Sequence, residues 1–418
     1  MQTYSSINMP HSIILLQNGI KLVHQEVNSP IAHFGVLVNA GTRDEPDSLM
    51  GLAHFIEHTI FKGTKKRKGF QILKRLEDVG GELNASTSKE ETYFHASFLH
   101  QDYPRTLELL ADILFNATFP EKEIEKEKDV IIEEINYYKD TPIEFLFDDF
   151  ETVIFQNHQL ARNILGTKST IAKIKQKDII AFIHRHYTPE NMVLSSIGNI
   201  ATPKLVKMCN NYFAALKYQH DEPPKRVPFT DYKPQFVKRN KKNAQAHILL
   251  GNLAYPYKSE KKYPFLLLSN LIGGPGMSTR LNMMLREKKG LGYSVEANYS
   301  TFSDTGLFTI YIGCDHNEVD KCIELTYKEL EKIRTNKLGV LQLQYAKKQL
   351  IGQIAIAGES KLAEMLANGR SALHGDEVET IDETIQKIEN VTANEILQVA
   401  NEILQKEQFS TLLYAKNV

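Results

Sequence analysis

The chain has 418 residues, 42% apolar and 24% charged, the balance of a globular protein long enough for two domains. Lys+Arg number 50 against 51 Asp+Glu, a formal net charge of −1, which argues against a nucleic-acid groove or a membrane-surface patch. No apolar run approaches the ~20 residues that span a bilayer, the N-terminus lacks the layout of a secretory signal and has no Arg before Arg43, and Cys209, Cys314 and Cys322 form no C-x-x-C pair. A cytoplasmic protein in a reducing setting, with neither nucleic acid nor membrane as partner, is the expectation.

In chain order, Ile13–Gln17, Ile20–Glu26 and His33–Asn39 read as strands broken by Asn18-Gly19 and Ser29-Pro30. After the loop Gly41–Pro46, Asp47 or Ser48 can cap a helix running to about Phe61, with Gly63 as its stop. A helix over Phe70–Val79 ends at Gly80-Gly81. Leu83–Ser86 and Thr92–Phe98 read as paired strands. Helices follow at Pro104–Asn116, Glu121–Tyr138, Pro142–Phe155 and Asp178–His186, then a buried strand at Met192–Ile197. The proline-rich, charged stretch 218–234 reads as a linker. Beyond it the plan recurs: a strand at His247–Leu253, helices at Pro264–Leu271 and Ser278–Glu287, and a glycine turn at Lys289–Gly292. Strands at Tyr293–Tyr299 and Gly306–Cys314 and long helices at Asn317–Thr335, Val340–Ala355 and Thr392–Ile403 complete it. The shared order suggests a duplicated α+β unit, with domains at 1–217 and 235–418.

Residues 51–64 read GLAHFIEHTIFKGT. On a helix His54 and His58 lie one turn apart on one face, so two imidazoles can reach one metal ion. Glu57 points to nearly the same side and can hold a water without ligating the metal. This is the H-x-x-E-H order of inverted zincins. A hydrolytic zinc needs three protein ligands and an open position. On the helix EKEIEKEKDVIIEEINYY, Glu127, Val130, Ile131 and Glu134 share a face. Carboxylates on a partly apolar face need a charge or metal partner. A solvated acidic surface accounts for Glu121, Glu123 and Glu125 better than for Glu134, which follows Val130-Ile131-Ile132.

His54-x-x-Glu57-His58 with the distant Glu134 resembles the pitrilysin family of metallopeptidases, which includes insulin-degrading enzyme, the mitochondrial processing peptidase and many bacterial zinc proteases. LARNILGT at Leu160–Thr167, HYTPENMVLSSIG at His186–Gly198 and the Arg286/Tyr293 pair, seven residues apart, are similar to that family as well. The resemblance implies one Zn2+ per chain on His54, His58 and Glu134, with Glu127 supporting the site from outside. It implies Glu57 as general base and Arg286 and Tyr293 as donors to the substrate carbonyl. Asn84 and Ala85 would contact the peptide backbone at a sheet edge, the strand-addition mode, and Glu144 and Asp148 could read a basic residue near the cut. It further implies an α+β fold of two similar domains, each a mostly antiparallel sheet packed against helices, forming half of a clamshell. The second domain, with YPFLLLSNLIGG at the corresponding helix, would be metal-free. A homodimer would complete two sites, each pairing the zinc of one chain with the Arg/Tyr pair of the other; a heterodimer with a similar chain would do so too. An active endopeptidase on oligopeptides or unfolded segments, a scaffold subunit and a structural zinc protein are the competing readings. The intact His54, Glu57, His58 and Glu134 favour the first.

Overall fold

A computed structural model describes residues 12–213, 225–375 and 377–416. It contains two sheets, each packed against helices. The first holds β1 (Ser12–Leu15), β2 (Lys21–Glu26), β3 (Ile31–Val38), β4 (Glu82–Thr87), β5 (Thr92–Leu99) and β6 (Met192–Gly198) in the order β1-β2-β6-β3-β5-β4. Only β2 and β6 run parallel. The second holds β7 (Phe236–Asn240), β8 (Ala246–Ala254), β9 (Gly292–Thr301), β10 (Gly306–Cys314) and β11 (Ser410–Ala415) in the order β7-β11-β8-β10-β9, with only β7 and β11 parallel. Without β1, the two sheets have the same order and the same sense at every pairing. The duplicated plan of the sequence is thus a duplicated topology.

The compact units are interleaved along the chain. The first comprises the chain up to Ile135, with Asn163–Arg226 and Ala357–Thr380; the second comprises Asn136–Arg162, Val227–Ile356 and the chain from Ile381. Each half therefore supplies one helix to the other unit. Lys361–His374 packs on β3 and β6 of the first sheet. There Ser195 Oγ donates to the Met365 carbonyl at 2.6 Å, and Gly369 lets the backbone come so close that a β-carbon would meet Leu37 at 2.6 Å. This cover explains why every residue of β6, its serines included, is buried. Reciprocally, Pro142–Ile154 packs on β8 and β11 of the second sheet. Its Asp149 accepts from Arg239 Nε at 2.5 Å and from the Tyr414 hydroxyl at 2.8 Å. Of the expected linker, residues 218–224 lie outside the described residues and 225–234 run without regular structure.

Several elements differ from the sequence reading. The helix expected from Asp47 begins only at Leu52, because Gly51 takes a left-handed φ of 92° after a short turn at Asp47–Leu49. The segment expected as a helix over Ser278–Glu287 is a widened π turn at Asn282–Glu287, with Lys288 N–H reaching back to Met283. Val130, expected on a half-buried face, is 50% exposed; the buried stripe of Glu121–Asp140 is Ile124, Glu127, Ile131 and Ile135. The helices Thr202–Tyr212, Lys361–His374 and Ile381–Asn390 and the strands β7 and β11 were not foreseen. Among the described residues no helix is long and apolar enough to cross a membrane.

Candidate metal centre

The centre is built from the helix Leu52–Thr59 and the longer helix Glu121–Asp140. The short helix is fixed at its N-terminus by a residue outside it. Glu45, 4% exposed, accepts the Gly51 N–H at 2.8 Å with one carboxylate oxygen and the Ala53 N–H at 2.7 Å with the other. These are donors that a helix start leaves without partners, and a carboxylate there also complements the helix dipole. Thr170 Oγ1 donates to the Met50 carbonyl at 2.7 Å. A β-carbon on Gly51 would lie 2.7 Å from the Leu165 carbonyl oxygen, so that segment closes over the helix start. Leu52, Phe55 and Ile56 are buried and lock the rotation of the helix, which decides where His54, Glu57 and His58 point.

His54 Nε2 and His58 Nε2 lie 3.8 and 3.7 Å from Glu134 Oε2. The ligand atoms of the three residues are within 4.8 Å of one another, and among the described residues this is the one such group able to share a metal. Ligands about 2.0–2.1 Å from a tetrahedral zinc sit about 3.3 Å apart, so a small closure of the observed triangle suffices. Glu134 Oε2 is buried without a hydrogen-bond partner among the described residues. A desolvated carboxylate oxygen facing two imidazole nitrogens is the donor set a zinc ion takes, so the residues fit the group.

Glu127 does not join the triangle. Its Oε1 is 3.0 Å from His58 Nδ1, and its Oε2 accepts from Lys62 Nζ at 2.7 Å. A carboxylate at Nδ1 fixes the proton there and leaves Nε2 with a free lone pair, an orienting role common behind metal-bound histidines. Burial pulls the His58 pKa down, but Glu127, Glu134 and Glu57 outweigh it and the net direction is up. His54 is pushed down to about 3 by burial and by His58. Glu57 is held up by burial, with Thr87 and His58 opposing and Glu134 adding to the rise. Its Oε2 is also buried without a partner among the described residues.

A cleft of about 940 Å3 opens beside these groups, lined by Glu57 and His58, by Phe61, Phe70 and Leu73, and by Asn84 and Ala85. The last two lie on β4, an edge strand, so its outer side has backbone groups free to pair with an extended peptide. The structure thus brings together His54, Glu57, His58, Glu127, Glu134, Asn84 and Ala85. Arg286 and Tyr293 belong to the second unit. Arg286 lines a cleft of about 470 Å3 between the Gly273–Met277 loop and β9. Tyr293 is 54% exposed, and its hydroxyl donates to Asp315 Oδ1 at 3.1 Å, which raises its pKa. Glu144 and Asp148 fall on Pro142–Ile154, also in the second unit. Sequence reasoning missed Glu45 and Lys62. Lys62 follows His58 by four residues, a spacing that could have marked it; Glu45 sits across an irregular loop and left no periodic signal.

Residues 21–168 match the insulinase family, peptidase family M16, and residues 173–350 match the peptidase M16 inactive domain. The chain is 31% identical over 400 residues to the uncharacterized zinc protease YmxG of Bacillus subtilis, covering 95% of this chain and 96% of that protein. It is 32% identical over 398 residues to an uncharacterized zinc protease of Streptomyces coelicolor, covering 93% and 86%. A protease from Helicobacter pylori shares the fold with a TM-score of 0.90 at 23% identity, over 97% of this chain and 100% of that one. A peptidase M16 inactive domain from Pseudomonas fluorescens does so at 0.91 and 18% identity, over 98% of each. With the sequence relationship spanning nearly the whole of both chains, this protein belongs to peptidase family M16.

Proposed function

We propose that the chain is a zinc-dependent endopeptidase acting on oligopeptides or unfolded segments. The observation that carries this is the convergence of His54 Nε2, His58 Nε2 and the unpartnered Glu134 Oε2, with Glu57 beside them and outside the ligand set. A purely structural site has no use for a non-ligating carboxylate beside its ligands. The naming of relatives as zinc proteases supports the same reading.

His54, His58 and Glu134 would hold one zinc ion, which when bound supplies Lewis-acid polarisation of a carbonyl and acidifies water. Glu127, itself held by Lys62, keeps His58 presenting Nε2 to the metal side. The free Oε2 of Glu57 accepts the proton of the attacking water and delivers it to the leaving amine. The edge of β4 at Asn84 and Ala85 aligns the peptide by main-chain pairing, which reads little sequence. In a homodimer, Arg286 and Tyr293 of a second copy would donate to the developing negative charge on the carbonyl oxygen. Their exposure favours that role. Three free, buried thiols fit a cytoplasmic setting.

The test is cleavage of a mixed library of unstructured peptides by zinc-loaded protein beside Glu57→Gln. Loss of a general base lowers turnover by about 10²–10⁴-fold, so cleavage should vanish from the variant while zinc stays bound. Equal inertness of both proteins, with zinc present, would favour a scaffold subunit that needs a catalytic partner.

A further inference from the structure

We propose that Lys68 and Lys122 make the catalytic cleft selective for peptides carrying an acidic side chain beside the scissile bond. The inference rests on the peptidase reading of the same site. Four cationic and three anionic side chains line the cleft: Lys62, Arg67, Lys68, Lys122, Glu57, Glu123 and Glu127. Most of this charge is already matched inside the protein. Arg67 is spent on Asp112 at 2.6 Å and on Glu108 at 2.7 Å. Lys62 is held by Glu127, and Glu123 by Lys126 at 2.8 Å. Among the described residues the side-chain ammonium groups of Lys68 and Lys122 have no ion-pair or hydrogen-bond partner, and both residues are exposed. The two lie on different elements, Lys68 just before the helix Gly69–Glu77 and Lys122 in the first turn of Glu121–Asp140. They are thus two independent cations facing one space.

The rest of the cleft tells how a peptide would meet them. Phe70 is 63% and Leu73 47% exposed on the helix that begins at Gly69, an uncovered apolar surface inside a cleft that also contains the proton-accepting Glu57. A peptide strand paired to β4 would place a bulky apolar side chain on Phe70 and Leu73, where its burial is favourable. Strand geometry spaces successive side chains by about 3.3 Å and sends them to alternate sides. A neighbouring side chain of that strand then reaches the cleft rim, where a carboxylate finds two unmatched ammonium groups and a basic side chain finds repulsion. The rim stays wet, so each lysine contributes modestly and the effect weakens with salt.

The experiment measures binding, which needs no turnover. Fluorescein-labelled unstructured peptides, in pairs differing only by Glu or Gln at one position near a central Phe-Leu pair, are titrated into zinc-loaded Glu57→Gln protein. At one or more positions on one side of the pair, Glu should bind tighter by about 3-fold per lysine and about tenfold for the two together. That preference should collapse in Lys68→Gln/Lys122→Gln, turn into a preference for Lys-bearing peptides in Lys68→Glu/Lys122→Glu, and shrink with added salt. Zinc content and thermal melting report that each variant is folded. Equal binding of both members of every pair, an unchanged preference in the double variants, or no binding of any peptide would overturn the proposal. Peptides bound with the expected preference but left uncut by the parent protein would remove the enzyme reading and leave the selectivity standing.

Discussion

The two units share a strand order and differ in what one helix carries. In the first, the first α-helix after β3, Leu52–Thr59, is eight residues long, and His54, Glu57 and His58 share the face turned toward Glu134. In the second, the first α-helix after β8 is Lys262–Gly273, with nine buried residues including Tyr263, Phe265, Leu267 and Leu268. The same framework therefore carries a candidate metal centre in one unit and a packed core in the other. Topology positions a helix beside an edge strand, and the side chains decide whether that position does chemistry.

Substitutions in the two units should separate these roles. Leu268→Ala removes a fully buried side chain of the second core and should lower unfolding free energy by about 2–5 kcal/mol. Urea denaturation reads that loss, and zinc content per folded chain should be unchanged; a fall in zinc content would mean that the second unit contributes to the metal site. In the first unit the costs fall on function. Glu127→Gln keeps the shape but loses the charge behind His58, and zinc affinity should drop about 10–100-fold, read by competition with a chelating dye. Glu45→Ala leaves the Gly51 and Ala53 N–H groups without their acceptor and should destabilise by about 1–3 kcal/mol, again with weaker zinc retention because the ligand-bearing helix is loosened. No change in either quantity would show that the helix is held by its packing alone.

The smallest effect concerns pH. Glu91, at the turn into β5, accepts from Arg370 at 3.0 Å and contacts His374, both on the helix that covers the first sheet. Burial raises its pKa, but His374 and Arg370 outweigh burial and the net direction is down. A carboxylate with a lowered folded pKa contributes stability that is complete above the unfolded value of about 4.3 and is lost as pH falls through the folded one. Unfolding midpoints should therefore drop through that acid window in the parent, with a shallower slope in Glu91→Gln. Identical slopes would mean that other carboxylates govern acid unfolding.

What could be read from the sequence was local or periodic. His54, Glu57 and His58 follow from the helical repeat, and Glu127 and Glu134 from the face of one long helix. The duplicated order of elements was legible because both halves carry the same punctuation by glycine. The partner of each helix was not. An amphipathic pattern says that Pro142–Ile154 has a face to bury, yet nothing in it names β8 and β11 as the cover. The true start of the ligand-bearing helix was hidden as well, since Asp47 and Ser48 are good caps and only the left-handed turn at Gly51 overrules them.

The exchanged helix also sets a timetable for synthesis. Ser195 meets Met365, a partner 170 residues later in the chain, and translation at about 5–20 residues per second puts about 10–30 s between them. Throughout that interval the strand Met192–Gly198 has emerged without the helix that shields it. The nascent protein thus offers bare sheet to chaperones until Lys361–His374 has been made, and the unit that carries the candidate metal centre becomes complete only then.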